Sequence, residues 1–152
     1  MSSENIPLNS SKTANKQLRI LFVTEDDPLY VYQFFKIFFQ EYPREQLDII
    51  GTTVVDAFHE SIWKTAWRML RFYGLIDFIR LSYRFVGVKL KGTSISNEAK
   101  KYDITVVPAK SINAPSYIAT ALSLAPDVIV SVAAPEIFKK KILEVPRIKC
   151  IN

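Results

Sequence analysis

Leu18-Arg-Ile-Leu-Phe-Val23 is a short, nearly continuous apolar run between a polar leader and the turn-forming stretch Thr24-Glu-Asp-Asp-Pro28. Runs of this length, bounded by turn signals, read as strands buried on both faces of a parallel sheet. Asp27-Pro28 then offers a helix N-cap with proline at the first helical position, and apolar residues continue from Leu29 to Phe39 as a helix covered on most sides. Outward from this unit the same alternation repeats. Leu47 to Val55 is rich in β-branched residues and predicts a second strand with a bend or bulge at Gly51. Tyr102 to Val107, closed by Pro108, predicts a third. A helix follows over Ser116 to Ala125, capped by Asn113 or Ser116. Asp127 to Ala133 predicts a fourth strand, Pro135 to Leu143 a helix opening on proline, and Ile148 to Ile151 a fifth strand. Strand and helix in alternation imply an α/β, Rossmann-like, doubly wound and mainly parallel sheet of about five strands with right-handed crossovers.

The bulk properties agree with one folded domain. The chain has 152 residues, 49% of them hydrophobic, and only four glycines, which excludes disordered, collagen-like and disulfide-scaffold classes. The lone Cys150 has no partner for an internal disulfide and sits in a strand-like run, which favours a reducing, cytoplasmic setting. Residues 1–16 read as a flexible leader without the apolar stretch of a secretion signal, and residues 17–152 as the domain. No apolar segment reaches the ~20 residues needed to cross a bilayer. A net charge of +5 suits an anionic partner, although most surfaces of this modest charge are simply solvated.

Between the second and third strands lies a helical insert over about 58–92, broken near Gly74. It combines Arg68, Arg71, Arg80 and Arg84 with Trp63, Trp67, Phe72 and Tyr83, a mixture that covers a sheet face in most proteins and lies on a partner or an anionic membrane in others. His59, the single histidine, falls near its start and reads as a surface or helix-start residue.

In open α/β sheets ligands bind beyond the carboxyl ends of the strands, where the strand order reverses. The first such loop, Thr24 to Pro28, contains no glycine and cannot form the cradle that brings backbone N–H groups onto a pyrophosphate, which argues against NAD or ATP. Its acidic residues Glu25 and Asp26 offer an ammonium-bearing substrate a weak site, and with Asp27 they equally suit the positive end of a helix. The second such loop runs from Ala133 to Phe138 and the third follows Ile151.

The final 26 residues, Asp127-Val-Ile-Val-Ser-Val-Ala-Ala-Pro-Glu-Ile-Phe-Lys-Lys-Lys-Ile-Leu-Glu-Val-Pro-Arg-Ile-Lys-Cys-Ile-Asn152, carry a more specific signal. They resemble the segment of folate-dependent formyltransferases, of the methionyl-tRNA, glycinamide ribonucleotide and sugar N-formyltransferase types. In that segment a buried strand leads to a folate-binding loop, a short helix, a proline-containing turn and Cys-Ile-Asn. Leu18 to Phe39 and the Pro-Ala-x-x-Ile-Asn stretch at Pro108 to Asn113 share the family's layout more loosely. The resemblance implies that 10-formyltetrahydrofolate is the formyl donor and that an amine attacks its formyl carbon. It assigns Asn152 as the catalytic asparagine, whose amide donates to the oxyanion that develops there. It also assigns Ala133, Glu136, Ile137 and Phe138 to the loop whose backbone binds the pterin, with Pro135 standing where many relatives have glycine. The family's catalytic histidine and aspartate lie beyond this point in its pattern, so the resemblance implies an N-terminal part, incomplete at its C-terminus and inactive alone. A sugar nucleotide is the expected acceptor ahead of methionyl-tRNA. The alternative is a non-catalytic folate- or partner-binding module from a shortened gene.

Overall fold

The computed structural model describes residues 17–28, 30–55 and 93–152, together with residues 70, 71, 74–76, 79, 80, 83 and 87. The leader expected over 1–16, His59 and most of the insert expected over 58–92 lie outside the described residues. Those of the insert that are described are helical, and Gly74, the expected break, has φ 77°. Leu75, Ile76, Ile79 and Tyr83 are exposed rather than packed on the sheet.

The elements run β1 (Leu18–Glu25), α1 (Val31–Glu41), β2 (Leu47–Val55), α2 (Ile95–Lys101), β3 (Val106–Ala109), α3 (Pro115–Leu124), β4 (Val128–Val132), α4 (Lys140–Leu143) and β5 (Lys149–Ile151). All strand pairs are parallel, in the order β3-β2-β1-β4-β5, so the chain is a Rossmann-like α/β fold. Side chains of β1 alternate between two cores, as a strand covered on both faces requires. Ile20 and Phe22 join Phe35 and Phe39 of α1 and Ile95 and Ala99 of α2. Leu21 and Val23 join Tyr117 and Ala121 of α3, Ile129 of β4 and Ile142 of α4.

The expected irregularity at Gly51 is a bulge. Ile20 pairs with Ile49 and Leu21 with Gly51, so Ile50 is the extra residue. Ile49 packs in the α1–α2 core and Ile50 against the α3–α4 core. A Cβ on Gly51 would point to that second core as well, 3.1 Å from Val107 Cγ2 and 3.4 Å from Leu21 Cδ1. Two successive residues therefore face one side, the signature of a bulge, and only glycine leaves room for the second.

Four expectations change in detail. Tyr102 to Ile104 is the turn that closes α2 rather than strand: Asp103 is left-handed at φ 59°, and the Ile104 N–H returns to the Ala99 carbonyl. Pro108 does not close β3 but pairs within it, opposite Val54, because β3 is the edge strand among the described residues and its missing N–H has no described neighbour to serve. The helix expected from Pro135 is confined to Lys140–Leu143, and residues 133–139 form a loop. Helix α1 buries Val31, Phe35 and Phe39 but leaves Phe34 and Ile37 exposed, so it is covered on one side only. Helix α2 was not expected; Ser94 caps it by accepting the Ser96 N–H, and Ile95, Glu98 and Ala99 are its buried face. Glu98 accepts hydrogen bonds from Tyr32 Oη at 3.1 Å and Lys101 Nζ at 2.7 Å, tying α2 to α1.

Filling the bulge should cost stability. Gly51→Val is expected to lower the unfolding free energy by about 1–3 kcal/mol through overpacking against Val107 and Leu21, read as a fall in the urea midpoint at unchanged slope.

Candidate functional site

Strand order reverses at β1, which has β2 and then β3 on one side and β4 and then β5 on the other. Loops leaving β1 and β4 at their carboxyl ends therefore diverge and open a crevice between them. On the β4 side a cavity of about 400 Å³ is lined by Ser131, Ala134, Pro135, Glu136, Ile137, Phe138, Leu143, Cys150, Ile151 and Asn152. It brings the loop after β4 together with the residues that end β5. Of the expected site residues, Glu136, Ile137, Phe138 and Asn152 share this cavity. Ala133 is exposed beside it.

Ala133 is the first residue beyond β4 and has φ 51°. A non-glycine residue in this left-handed region costs about 1–2 kcal/mol, an expense tolerated where surrounding structure dictates the turn. The turn sends the chain away from the sheet. Cys150 contacts the α3–α4 core from the other wall of the cavity, and burial pushes its thiol pKa up, so it stays protonated at neutral pH.

The carboxylate of Glu136 holds the loop. It reaches the β3–α3 connection and accepts three hydrogen bonds: Ser111 Oγ at 2.8 Å and Asn113 Nδ2 at 2.7 Å on Oε1, and the Ile112 N–H at 2.9 Å on Oε2. Asn113 completes the clasp. Its Nδ2 also donates to the Ile137 carbonyl at 2.9 Å, and its Oδ1 accepts the Lys139 N–H at 2.9 Å. Asn113 is thus no helix cap: α3 starts from Ala114 without a side-chain cap, with Pro115 in its first turn. Burial alone would raise the Glu136 pKa, but the bonds from Asn113, Ser111 and Ile112, with the charge of Lys139, outweigh it and hold the carboxyl below the usual glutamate range. In the sequence the Pro108 to Asn113 stretch offers only a family layout and, at Asn113, a candidate cap; no local pattern signals that it reaches residues 23 to 25 positions away.

Glu25 and Asp26 do not line this cavity. Asp26 accepts the Ile95 N–H at 3.0 Å and lines a second cavity, about 750 Å³, with Lys110, Ser116, Tyr117 and Thr120. Glu25 has a raised pKa, from burial first and from the neighbouring Asp27 second. Asp27 accepts from the N–H groups of Tyr30 and Val31 at 3.3 and 3.4 Å, but it is not the expected N-cap and Pro28 does not open the helix: α1 starts at Val31 behind Tyr30, which caps it without a side-chain bond. Tyr117 shares a buried 2.8 Å hydrogen bond with Thr53, and burial pushes its pKa up to about 12.

Part of the chain is similar to methionyl-tRNA formyltransferases. It is 37% identical over 82 residues to that of Bacillus thuringiensis subsp. konkukian, covering 53% of this chain and 26% of the relative. To that of Kosmotoga olearia it is 33% identical over 66 residues, covering 43% of this chain and 21% of the relative. The chain therefore spans about a quarter of the length of these relatives. The similarity supports a place in the formyltransferase family. No family model matches the chain. Among the described residues no helix is long and apolar enough to cross a membrane.

The clasp predicts a pH dependence. The folded state binds a proton at Glu136 less readily than the unfolded chain does, so the stability this group contributes is present above the ordinary glutamate range and is lost as pH falls through it to the lower folded value. Glu136→Gln removes that term. Thermal melts of Glu136→Gln should therefore show a smaller fall in Tm between pH 7 and pH 3.5 than the unsubstituted chain; equal falls would show that the carboxylate is not held ionised by its partners.

Proposed function

We propose that this chain is the folate-binding part of a formyltransferase that moves a formyl group from 10-formyltetrahydrofolate to an amine. The observation that carries the reading is the meeting of the loop after β4 with Asn152 around one cavity beyond the carboxyl ends of β4 and β5, the edge of a parallel sheet at which ligands bind. A planar heterocycle suits a loop whose backbone, rather than its side chains, is available: the Ile137 side chain is 87% exposed, and the N–H groups of Glu136, Ile137 and Phe138 have no partner among the described residues. Backbone donors recognise an amide-like ring edge without requiring particular side chains.

In the reaction, the amine nitrogen attacks the formyl carbon, the new C–N bond forms, and the carbonyl electron pair moves onto oxygen. Collapse of that tetrahedral species breaks the bond to the folate nitrogen, which takes a proton as the amine loses one. Asn152 is proposed to donate its amide N–H to the oxygen as charge develops there, and one preorganised donor of this kind is worth about 3 kcal/mol. The proton transfers need a base, and in the family pattern a histidine and an aspartate beyond Asn152 would supply it. The names of both relatives favour methionyl-tRNA as acceptor, and nothing in them favours the sugar nucleotide expected from the sequence; a basic chain of net charge +5 also suits a polyanionic acceptor. The alternative of a shortened module that binds without chemistry has no observation of its own in support.

Calorimetric titration with 5-formyltetrahydrofolate, a stable analogue of the donor, should give one site per chain. Asn152→Ala should leave that affinity within about threefold, because its hydrogen bond is realised in the transition state, and should lower formyl transfer by about 10²–10³-fold in any longer form that turns over. Absence of heat at millimolar analogue would remove the folate reading.

A further inference from the structure

The loop 133–139 has no helix or strand to fix it, and it begins with a left-handed alanine. Ala134 and Phe138 rest against the α3–α4 core, but Ile137 between them is in solvent. Apolar packing therefore leaves the Glu136–Ile137 backbone undetermined. Five hydrogen bonds determine it, and all five come from Ser111, Ile112 and Asn113. None of these three residues lines the cavity.

The pairing is selective about which backbone groups it consumes. Both N–H bonds of the Asn113 amide are used, one on Glu136 and one on the Ile137 carbonyl, and its oxygen takes the Lys139 N–H. The N–H groups between these anchor points, at Ile137 and Phe138, are left without a partner among the described residues, and both residues line the cavity. The anchors sit on either side of two free donors. On the reading that this cavity takes folate, we propose that the Glu136 carboxylate and Asn113 are positioning groups: through their hydrogen bonds between the β3–α3 connection and the loop after β4 they hold the Ile137–Phe138 backbone in the shape that binds the pterin, and so set folate affinity.

Two amide protons report the clasp directly. The Ile112 N–H is bonded to Glu136 and the Lys139 N–H to Asn113. Glu136→Gln places an amide donor or a neutral acceptor where a carboxylate accepted three bonds, and Asn113→Ala deletes three of the five. Each is expected to weaken 5-formyltetrahydrofolate binding by about tenfold, the equivalent of one charge-assisted hydrogen bond. Hydrogen exchange should accelerate at Ile112 and Lys139 while the amides of β1 and β4 keep their protection, a local loosening that a general loss of stability would not produce. Ser111→Ala removes a single bond and is the mild variant if either of the others fails to fold; it should weaken binding by two- to threefold. Unchanged affinity in these variants, with exchange at Ile112 and Lys139 accelerated, would overturn the positioning role while leaving the folate reading intact. No binding by the unsubstituted chain would overturn the folate reading, and this role with it.

Discussion

Strand β1 has no free edge. It pairs with β2 along its length and with β4 over five residues, and its side chains fill a core on each face. Everything else is arranged by that commitment. Parallel neighbours cannot be joined by tight turns, so each connection crosses over a face and returns, and every strand delivers its carboxyl end to one edge of the sheet. At that edge the loop after β4 is hydrogen-bonded to the loop after β3, and the cavity lies between the β4 loop and the end of β5.

The opposite edge is tied down. The Asp127 carboxylate, 5% exposed, accepts the Arg19 N–H at 3.1 Å and Arg147 Nε at 2.6 Å. Its own backbone donates to the Arg19 carbonyl and receives the Ile148 N–H, each at 2.9 Å, while Arg19 Nη2 reaches the Leu124 carbonyl at 2.8 Å. One acidic residue thus joins the start of β4 to β1 on one side and to the approach of β5 on the other. A carboxylate buried this far is tolerable only with its partners in place, which makes the register of these three strands hard to slip. Fixing the amino ends leaves the carboxyl ends free to carry an irregular loop and a left-handed alanine.

What could be read in the sequence follows the same division. The runs Leu18 to Val23, Leu47 to Val55 and Asp127 to Ala133 are apolar because both faces of their strands are buried, and they fall close to β1, β2 and β4. At the sheet's edge that logic weakens. β3 is short, tolerates Pro108 and follows a helix of only seven residues, so the apolar Tyr102 and Ile104 belong to the α2 packing rather than to a strand. Pro135 looked like a helix start, yet the chain stays irregular until Lys140, because the Lys139 N–H and the Ile137 carbonyl are bound to Asn113 instead of to a helical turn. Periodicity records which face a residue buries. It does not record which distant loop a carboxylate will meet.

Glu136 shows the consequence for reading a site. The resemblance read from the sequence singled out the loop after β4 for its backbone and left the side chain of Glu136 without a role. In the fold that side chain is the reason the backbone has one conformation: an ionised carboxylate has enough acceptor capacity to collect a hydroxyl, an amide and a backbone N–H from one neighbouring loop. An apolar residue in its place would have to hold the loop by packing, and Ile137, the next residue, shows how little packing is on offer there. The backbone of this loop is therefore not independent of side chains. The conformation of this loop depends on one whose carboxylate is bonded to the β3–α3 connection, and such a dependence becomes visible only when two loops more than twenty residues apart are placed side by side.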